Sequence, residues 1–368
     1  MDFAPTPVQR LLAQTARAFL QERCPPERLQ ALALEPDGFA EDLWKAMAAM
    51  GWPGLLIPQD LGGGGGSVQD VVLLVEEMGR ACLPSPFIAS SVVATSMLLA
   101  SASSHARRRL PALALGDGIA TVAVIEESGR YDAEDLVTRG DAPGRLAGRK
   151  LFVKDAHVAT DLIVIAHGRR GLTALLLPSR RSGIAALPLS TMGDEKLFEV
   201  TFDDVETRAE DLLGEGERAR QLLEPAMRLG ALARSAEMVG AAARILDICV
   251  EHARVRVQSG RPIGAFQAIQ HHCADLLRDV EASRWLVHEA AWRIDEGLEA
   301  RAAVATAKAF CAQASLRVAR RGHQIMGAVG YCEEHPLHLL HKRILAASLE
   351  WGDAALHLET VAQSIGLA

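Results

Sequence analysis

The run from Arg256 through Val257, Gln258, Ser259, Gly260, Arg261, Pro262, Ile263 and Gly264 to Gln270 and His271 gathers the donors a phosphate ester needs. Arg256 offers a fork of N–H groups matched to phosphate oxygens. Gln258 and Ser259 add neutral hydrogen-bonding groups. Gly260 and Gly264 bracket Pro262, as expected for a fixed bend where backbone comes near a ligand. Alone, Arg256 reads equally as a surface arginine that closes a helix with favourable charge. A second marker, Gln324-Ile325-Met326-Gly327-Ala328-Val329-Gly330-Tyr331, follows downstream. Two carboxylates, Glu237 and Glu350, could serve as general bases if held in a dry pocket that raises a carboxylate's pKa toward working pH. An ion-paired or solvated Glu237 is the simpler reading. His335, His338 and His341 are spaced three apart, with His357 beyond, and spacing of three shares a helical face. No acidic or Cys ligand accompanies them, so no metal site is expected. Adjacent His271, His272 and Cys273 diverge around a helix axis. Five glycines, Gly62 to Gly66, invite a phosphate-cradle reading, but no Lys-Ser or Lys-Thr follows. A flexible interhelical loop is expected there.

The elements that must position these groups divide the chain into three segments. Residues 6 to about 115 carry apolar side chains at helical spacing: Leu43, Met47 and Met50, then Val71, Leu74, Val75 and Met78. From Ile119 to about Gly214 the period shortens, with β-type runs at 121–125, 162–166, 173–177 and 198–202, the last alternating as a half-buried strand should. Turn residues punctuate them, which points to a small antiparallel barrel or sandwich. Beyond Gly214, Leu232, Ala236, Val239, Ala243, Leu246 and Val250 recur at steps of three and four, and further helices begin near Ile269, Glu299 and Leu337. The last of these is expected to run unbroken to about Ile365. The expected architecture is mainly α with a small β domain: an all-α domain over 1–117, a β domain over 118–215 and a four-helix bundle over 216–368.

Bulk properties exclude several classes. A chain of 368 residues with 49% hydrophobic content has material for more than one core. A net charge of -7 gives no basic face for nucleic acid and no polybasic patch for a membrane. The six cysteines lack CxxC spacing, and the start Met1-Asp2-Phe3-Ala4-Pro5 lacks the regions of a signal peptide. Both features point to a cytoplasmic protein with reduced thiols.

The blocks at Arg256–His271 and Gln324–Tyr331 resemble the carboxy-terminal signature of the acyl-CoA dehydrogenase flavoproteins. Leu56-Ile57-Pro58-Gln59 and Glu76-Glu77-Met78-Gly79-Arg80 resemble that family's amino-terminal domain. The order of helices, β domain and bundle is also the family's. The resemblance implies FAD as cofactor, an acyl-CoA thioester as substrate and α,β-dehydrogenation as the reaction. It implies that Arg256, Gln258, Ser259, Gln324, Gly327 and Ala328 contact the ADP half of FAD, in a site that includes a neighbouring subunit. Ala328 stands where a second glycine is common, and its methyl group slightly restricts backbone approach.

Elsewhere the chain departs from the pattern. The family's loop of Thr-Glu-Pro-x-x-Gly-Ser-Asp type is matched by Ile125-Glu126-Glu127-Ser128-Gly129-Arg130-Tyr131-Asp132, where only Glu126 and Asp132 keep its look. An element of Trp-Ile-Thr type is matched by Phe152-Val153-Lys154, and a buried Lys154 needs a partner. The family's base falls on Trp351, which cannot accept the proton. The alternative base position, on an earlier helix, falls on Gly230 and Ala231. Three readings follow. The chain is one subunit of a hetero-oligomer, supplying the ADP-side wall of the flavin site; or a self-sufficient homotetramer with Glu350 or Glu237 as base; or a flavin-free acyl-CoA-binding or scaffold protein. An electron-accepting flavoprotein is a further implied partner.

Overall fold

The computed structural model describes residues 5–35, 38–131, 135–193 and 195–367. The first third is helical: α1 (Pro7–Arg23), α2 (Pro26–Leu34), α3 (Glu41–Ala49) and α4 (Val68–Arg80), then a π-helical stretch over Ile88–Ala94 that runs into α5 (Thr95–Ala100), and α6 (Ser104–Ala114). The middle is β1 (Ala120–Ala123), β2 (Arg139–Gly140), β3 (Gly144–Lys154), β4 (Asp161–Gly168), β5 (Gly171–Pro178), β6 (Ile184–Leu189), β7 (Leu197–Thr207) and β8 (Leu212–Glu215). The last part is α7 (Glu217–Val255), the hairpin β9 (Val257–Gln258) and β10 (Arg261–Pro262), α8 (Gln267–Asp295), α9 (Arg301–Met326), α10 (Leu337–Leu349) and α11 (Ala354–Ser364). Two compact units result: one of residues 1–30, 68–83 and 231–368, the other of residues 31–67 and 84–230.

The second unit is organised by an eight-stranded sheet of order β6-β7-β3-β2-β4-β5-β8, with β1 alongside β4. Most pairs are antiparallel, but β1 and β2 each pair with β4 in parallel. β4 and β5 are buried on both faces over most of their length, whereas β7 alternates. Leu146, Val164, Leu175, Phe198 and Val200 are among the residues that fill its core. The glycine run in this unit is not a free loop. The amides of Gly63, Gly64, Gly65 and Gly66 donate to the carbonyls of Pro58, Gly54, Ile57 and Leu55 at 2.7–3.1 Å. With those donors spent on the chain's own carbonyls, none of the four is left for a phosphate.

The first unit is helical apart from the short β9–β10 hairpin. Thr6 and Gln9 cap α1 reciprocally, with Thr6 N–H donating to Gln9 Oε1 and Gln9 N–H to Thr6 Oγ1. Asp295, the last residue of α8, accepts from the first amides of α4, Val68 at 2.8 Å and Gln69 at 2.9 Å. In α7 the sequence stripe understates burial: every residue from Ala231 to Ala243 is buried, so the helix is enclosed on all sides there. Glycines allow that enclosure. A Cβ on Gly240 would lie 1.8 Å from the Glu76 carbonyl oxygen, and one on Gly79 would lie 2.1 Å from that of Glu237. α4 and α7 therefore meet backbone to backbone.

The last expected helix is broken. α10 ends at Leu349, and Trp351 (φ +59°) and Gly352 (φ +99°) turn the chain left-handed before α11. An L side chain in that region costs about 1–2 kcal/mol, so Trp351 is held there by its surroundings. A Gly240→Ala variant forces α4 and α7 apart. It is expected to cost about 1–3 kcal/mol, read as a lower urea midpoint at unchanged slope.

Candidate functional site

Two helix ends bring the phosphate-binding candidates to one end of the first unit. Ser315 Oγ of α9 donates to the Met238 carbonyl of α7 at 3.3 Å, and Cys249 of α7 meets the Gly322 carbonyl of α9 at 3.9 Å. Both contacts advance in the same direction along the two helices, so α7 and α9 run parallel and finish at the same end. Arg256 follows α7 directly, its N–H still bonded to the His252 carbonyl at 2.9 Å. Its own carbonyl accepts from Ile263 at 2.8 Å, closing the hairpin. Gln258 pairs with Arg261 across a two-residue turn in which Ser259 (φ +51°) and Gly260 (φ +78°) both have positive φ. Arg261 stacks on the Phe266 ring at 4.2 Å.

Gln324 lies in the last turn of α9, and Gly327 ends that helix at φ +63°, ψ -144°. That backbone region is essentially restricted to glycine, and open space surrounds the position a Cβ would take. Ala328 sits in the 3-10 turn that follows. Arg256, Gln258, Ser259, Gln324, Gly327 and Ala328 are all exposed. Two helix carboxy-termini present carbonyls here, so any anion must be drawn by side chains, Arg256 above all. These donors fit a diphosphate.

Behind this end stand paired imidazoles. His323 and His341 face each other at 3.1 Å and share one hydrogen bond, and His323 stacks on Tyr331 at 4.7 Å. His335 accepts from Leu337 N–H, and His338 and His357 donate to the Glu333 and Trp351 carbonyls. Among the described residues no group of three or more His, Cys, Asp or Glu is placed to hold a metal ion.

The carboxylate candidates converge elsewhere in the same unit, on a residue the sequence reading passed over. Arg234 is 1% exposed. Its Nη1 bonds Glu237, and its Nη2 lies 2.5 Å from Glu350 Oε2. Arg343 Nη1 reaches the other oxygen of Glu237 at 3.8 Å. Glu350 has left the helix, in extended conformation, and turns toward Arg234 with its side chain 19% exposed. Lys308, fully buried, donates to the carbonyls of Ser348 at 2.9 Å and Gly352 at 2.7 Å, which fixes the turn around Trp351. Burial pushes the Lys308 ammonium down to about 8, against the pull of Glu350. Arg234 stands three residues before Glu237, and Lys308 stands in an alanine-rich helix. A charged residue inside an otherwise apolar run was the available signal for both.

In the sheet unit, the positions where resemblance places flavin-ring contacts hold ion pairs. Lys154 Nζ lies 2.5 Å from Glu195, both side chains buried, so the partner that Lys154 requires is Glu195. Glu126 accepts from Lys150 at 2.7 Å and from the amides of Val137 and Thr138. Burial alone would raise the Glu126 carboxyl; these donors outweigh it and hold it below the usual range. Phe152 projects half exposed from a bulge at φ +55°. Asp132 lies outside the described residues. This arrangement does not fit a set of small polar groups around a flavin ring.

Residues 221–366 match the acyl-CoA dehydrogenase C-terminal domain, and residues 6–117 match the acyl-CoA dehydrogenase N-terminal domain. The chain is 30% identical over 343 residues to acyl-CoA dehydrogenase IpdE2 of Mycobacterium tuberculosis, covering 92% of this chain and 91% of that one. It is 30% identical over 358 residues to benzylmalonyl-CoA dehydrogenase of Aromatoleum aromaticum, covering 92% of each. Among solved structures, the ChsE4-ChsE5 complex from Mycobacterium tuberculosis superposes with a TM-score of 0.91 at 28% identity, over the full length of both chains. No helix is long and apolar enough to cross a membrane among the described residues.

Two outcomes test this site. Arg234→Met removes the guanidinium that Glu237 and Glu350 share and is expected to cost about 3–5 kcal/mol; adding Glu237→Gln and Glu350→Gln should recover part of that loss in urea unfolding. The pH dependence follows from the imidazoles. Burial, then neighbouring His and Arg charges, lowers His335 and His341 below 6.5, and burial outweighs the Gly330 hydrogen bond at His323. The unfolded chain therefore takes up protons first as pH falls, so this stability is full above about 6.5 and is lost below it. The urea midpoint should drop between pH 7.5 and 5, and by less in a His341→Gln variant.

Proposed function

The chain belongs to the acyl-CoA dehydrogenase family, and we propose that within it this polypeptide serves as one subunit of a hetero-oligomer, supplying the ADP-side wall of a flavin site completed by a different subunit. The chemistry is the family's: FAD-dependent α,β-dehydrogenation of an acyl-CoA thioester. When bound, FAD supplies the hydride acceptor. This chain's part is to bind and orient. Arg256 would neutralise the diphosphate, with Gln258, Ser259, Gln324 and the backbone at Gly327 and Ala328 fixing its position.

One observation carries the reading. By the resemblance the base position falls on Trp351, and the two candidate carboxylates, Glu237 and Glu350, are both bound to the buried Arg234. A carboxylate already engaged by a guanidinium is not the unpaired group in a dry pocket that proton abstraction calls for. The solved complex ChsE4-ChsE5, by its description an assembly of two components, offers a precedent for such an arrangement. Glu350 is the one candidate that keeps partial exposure, which favours a self-sufficient homotetramer as the second reading. FAD as the family's cofactor leaves the flavin-free reading without footing. The division at 117/118 and 215/216, an electron-accepting flavoprotein and a cytoplasmic location belong to the same proposal. The free thiols, four of them buried, accord with the last.

The absorbance spectrum decides between the two readings. The chain purified alone should be colourless or weakly yellow and should gain stoichiometric FAD when co-expressed with its partner; a lone yellow protein whose flavin is bleached by acyl-CoA refutes the proposal. In the assembled complex, Arg256→Ala should weaken FAD retention by about tenfold or more, as expected for losing a charge-assisted contact. Glu350→Gln should leave turnover near the parent level, whereas abolished turnover restores Glu350 as base.

A further inference from the structure

Apart from the Arg234 cluster, the helical unit holds a place where charge and cavity coincide. A cavity of about 220 Å³ opens beside the carboxy-terminal ends of α1 and α4 and the beginning of α10. Leu20, Leu29, Leu339 and Leu340 give it an apolar lining. Arg17, Arg80 and Arg244 line it as well, together with Glu77.

Two of the three guanidiniums are matched. Arg17 grips Glu77 through two parallel hydrogen bonds at 2.8 and 2.7 Å, and Arg80 bonds Asp247. Arg244 is half-buried, and among the described residues no hydrogen bond or ion pair engages its side chain. Its charge acts on its neighbours all the same. Arg80 is lowered by burial first, then by Arg17 and Arg244, and Arg244 contributes to the lowering of His335. Three cations against Glu77 and Asp247 leave one positive charge without a partner at an apolar cavity. Arg244 keeps partial exposure, so its guanidinium is open to a ligand that enters the cavity.

We infer that this cavity binds a small amphiphilic monoanion, with its carboxylate on Arg244 and its hydrocarbon body against Leu20, Leu29, Leu339 and Leu340. One unmatched charge calls for one negative charge: Arg17 and Arg80 are already engaged by Glu77 and Asp247, so the second charge of a phosphate finds no further cation there. The site is separate from the flavin wall and from the Arg234 cluster, and it goes beyond the proposed function.

Two buried thiols report on it, because Cys24 and Cys82 also line the cavity while Cys332 is exposed elsewhere. The full-length chain is labelled with N-ethylmaleimide in the presence of sodium octanoate, octanol or inorganic phosphate, and each cysteine is followed by peptide mass spectrometry. Octanoate at ten times its Kd should slow labelling of Cys24 and Cys82 by about tenfold and leave Cys332 unchanged. Octanol and phosphate should give no protection, and Arg244→Met should abolish the octanoate effect. A Leu339→Trp variant fills the cavity from its apolar side and should do the same, which keeps the test decisive if Arg244→Met does not fold. Equal protection by octanol, protection by phosphate alone, parallel slowing of Cys332, or octanoate protection that survives in a folded variant would each overturn the inference.

Discussion

One buried guanidinium sets the terms for the helical unit. Arg234 sits on a stretch of α7 that is enclosed on all sides, and taking its charge out of water is affordable only because Glu237 and Glu350 meet it. Glu237 comes from the same helix, one turn on. Glu350 arrives from the end of α10, which must stop being helical for the carboxylate to reach inward. The left-handed residues Trp351 and Gly352 and the two carbonyls held by Lys308 are the other side of that requirement. The break between α10 and α11 therefore reads as a consequence of satisfying a buried charge.

The same interaction shapes what the chain can do chemically. A proton-abstracting carboxylate needs burial without a cation, and here both candidates, Glu237 and Glu350, have a cation. Lys154–Glu195 and Glu126–Lys150 repeat the pattern in the sheet unit, where charged side chains are matched to each other and turned inward. The exposed end formed by Arg256, the β9–β10 hairpin and the finish of α9 is different in kind. Its residues are exposed and the hairpin that carries Gln258 is held by backbone pairing.

The family, the order of helices and strands, and the residues of the outward-facing end were legible in the sequence. The Arg256 and Gln324 blocks are local, and their turn chemistry is written in adjacent residues: positive φ at Ser259 and Gly260, a glycine-only backbone at Gly327. The strand runs near 162–166, 173–177 and 198–202 were legible for the same reason, since period-two alternation is a property of neighbours in the chain. What periodicity missed were the strands with weak patterns, such as β6, whose side chains are mostly exposed. It also missed the conversion of the glycine run from an apparent loop into a closed set of backbone bonds.

The sequence by itself determined the local chemistry of the Arg256 and Gln324 blocks and the tryptophan at position 351, because both rest on residue identity at fixed local spacing. Only the tertiary structure decided the fate of the remaining carboxylates. Glu237 and Glu350 are more than a hundred positions apart, and nothing in either neighbourhood announces that one arginine holds both. That pairing exists because burying a charge in a packed helical core obliges distant segments to supply its counter-charges, and such an obligation is settled by the fold as a whole.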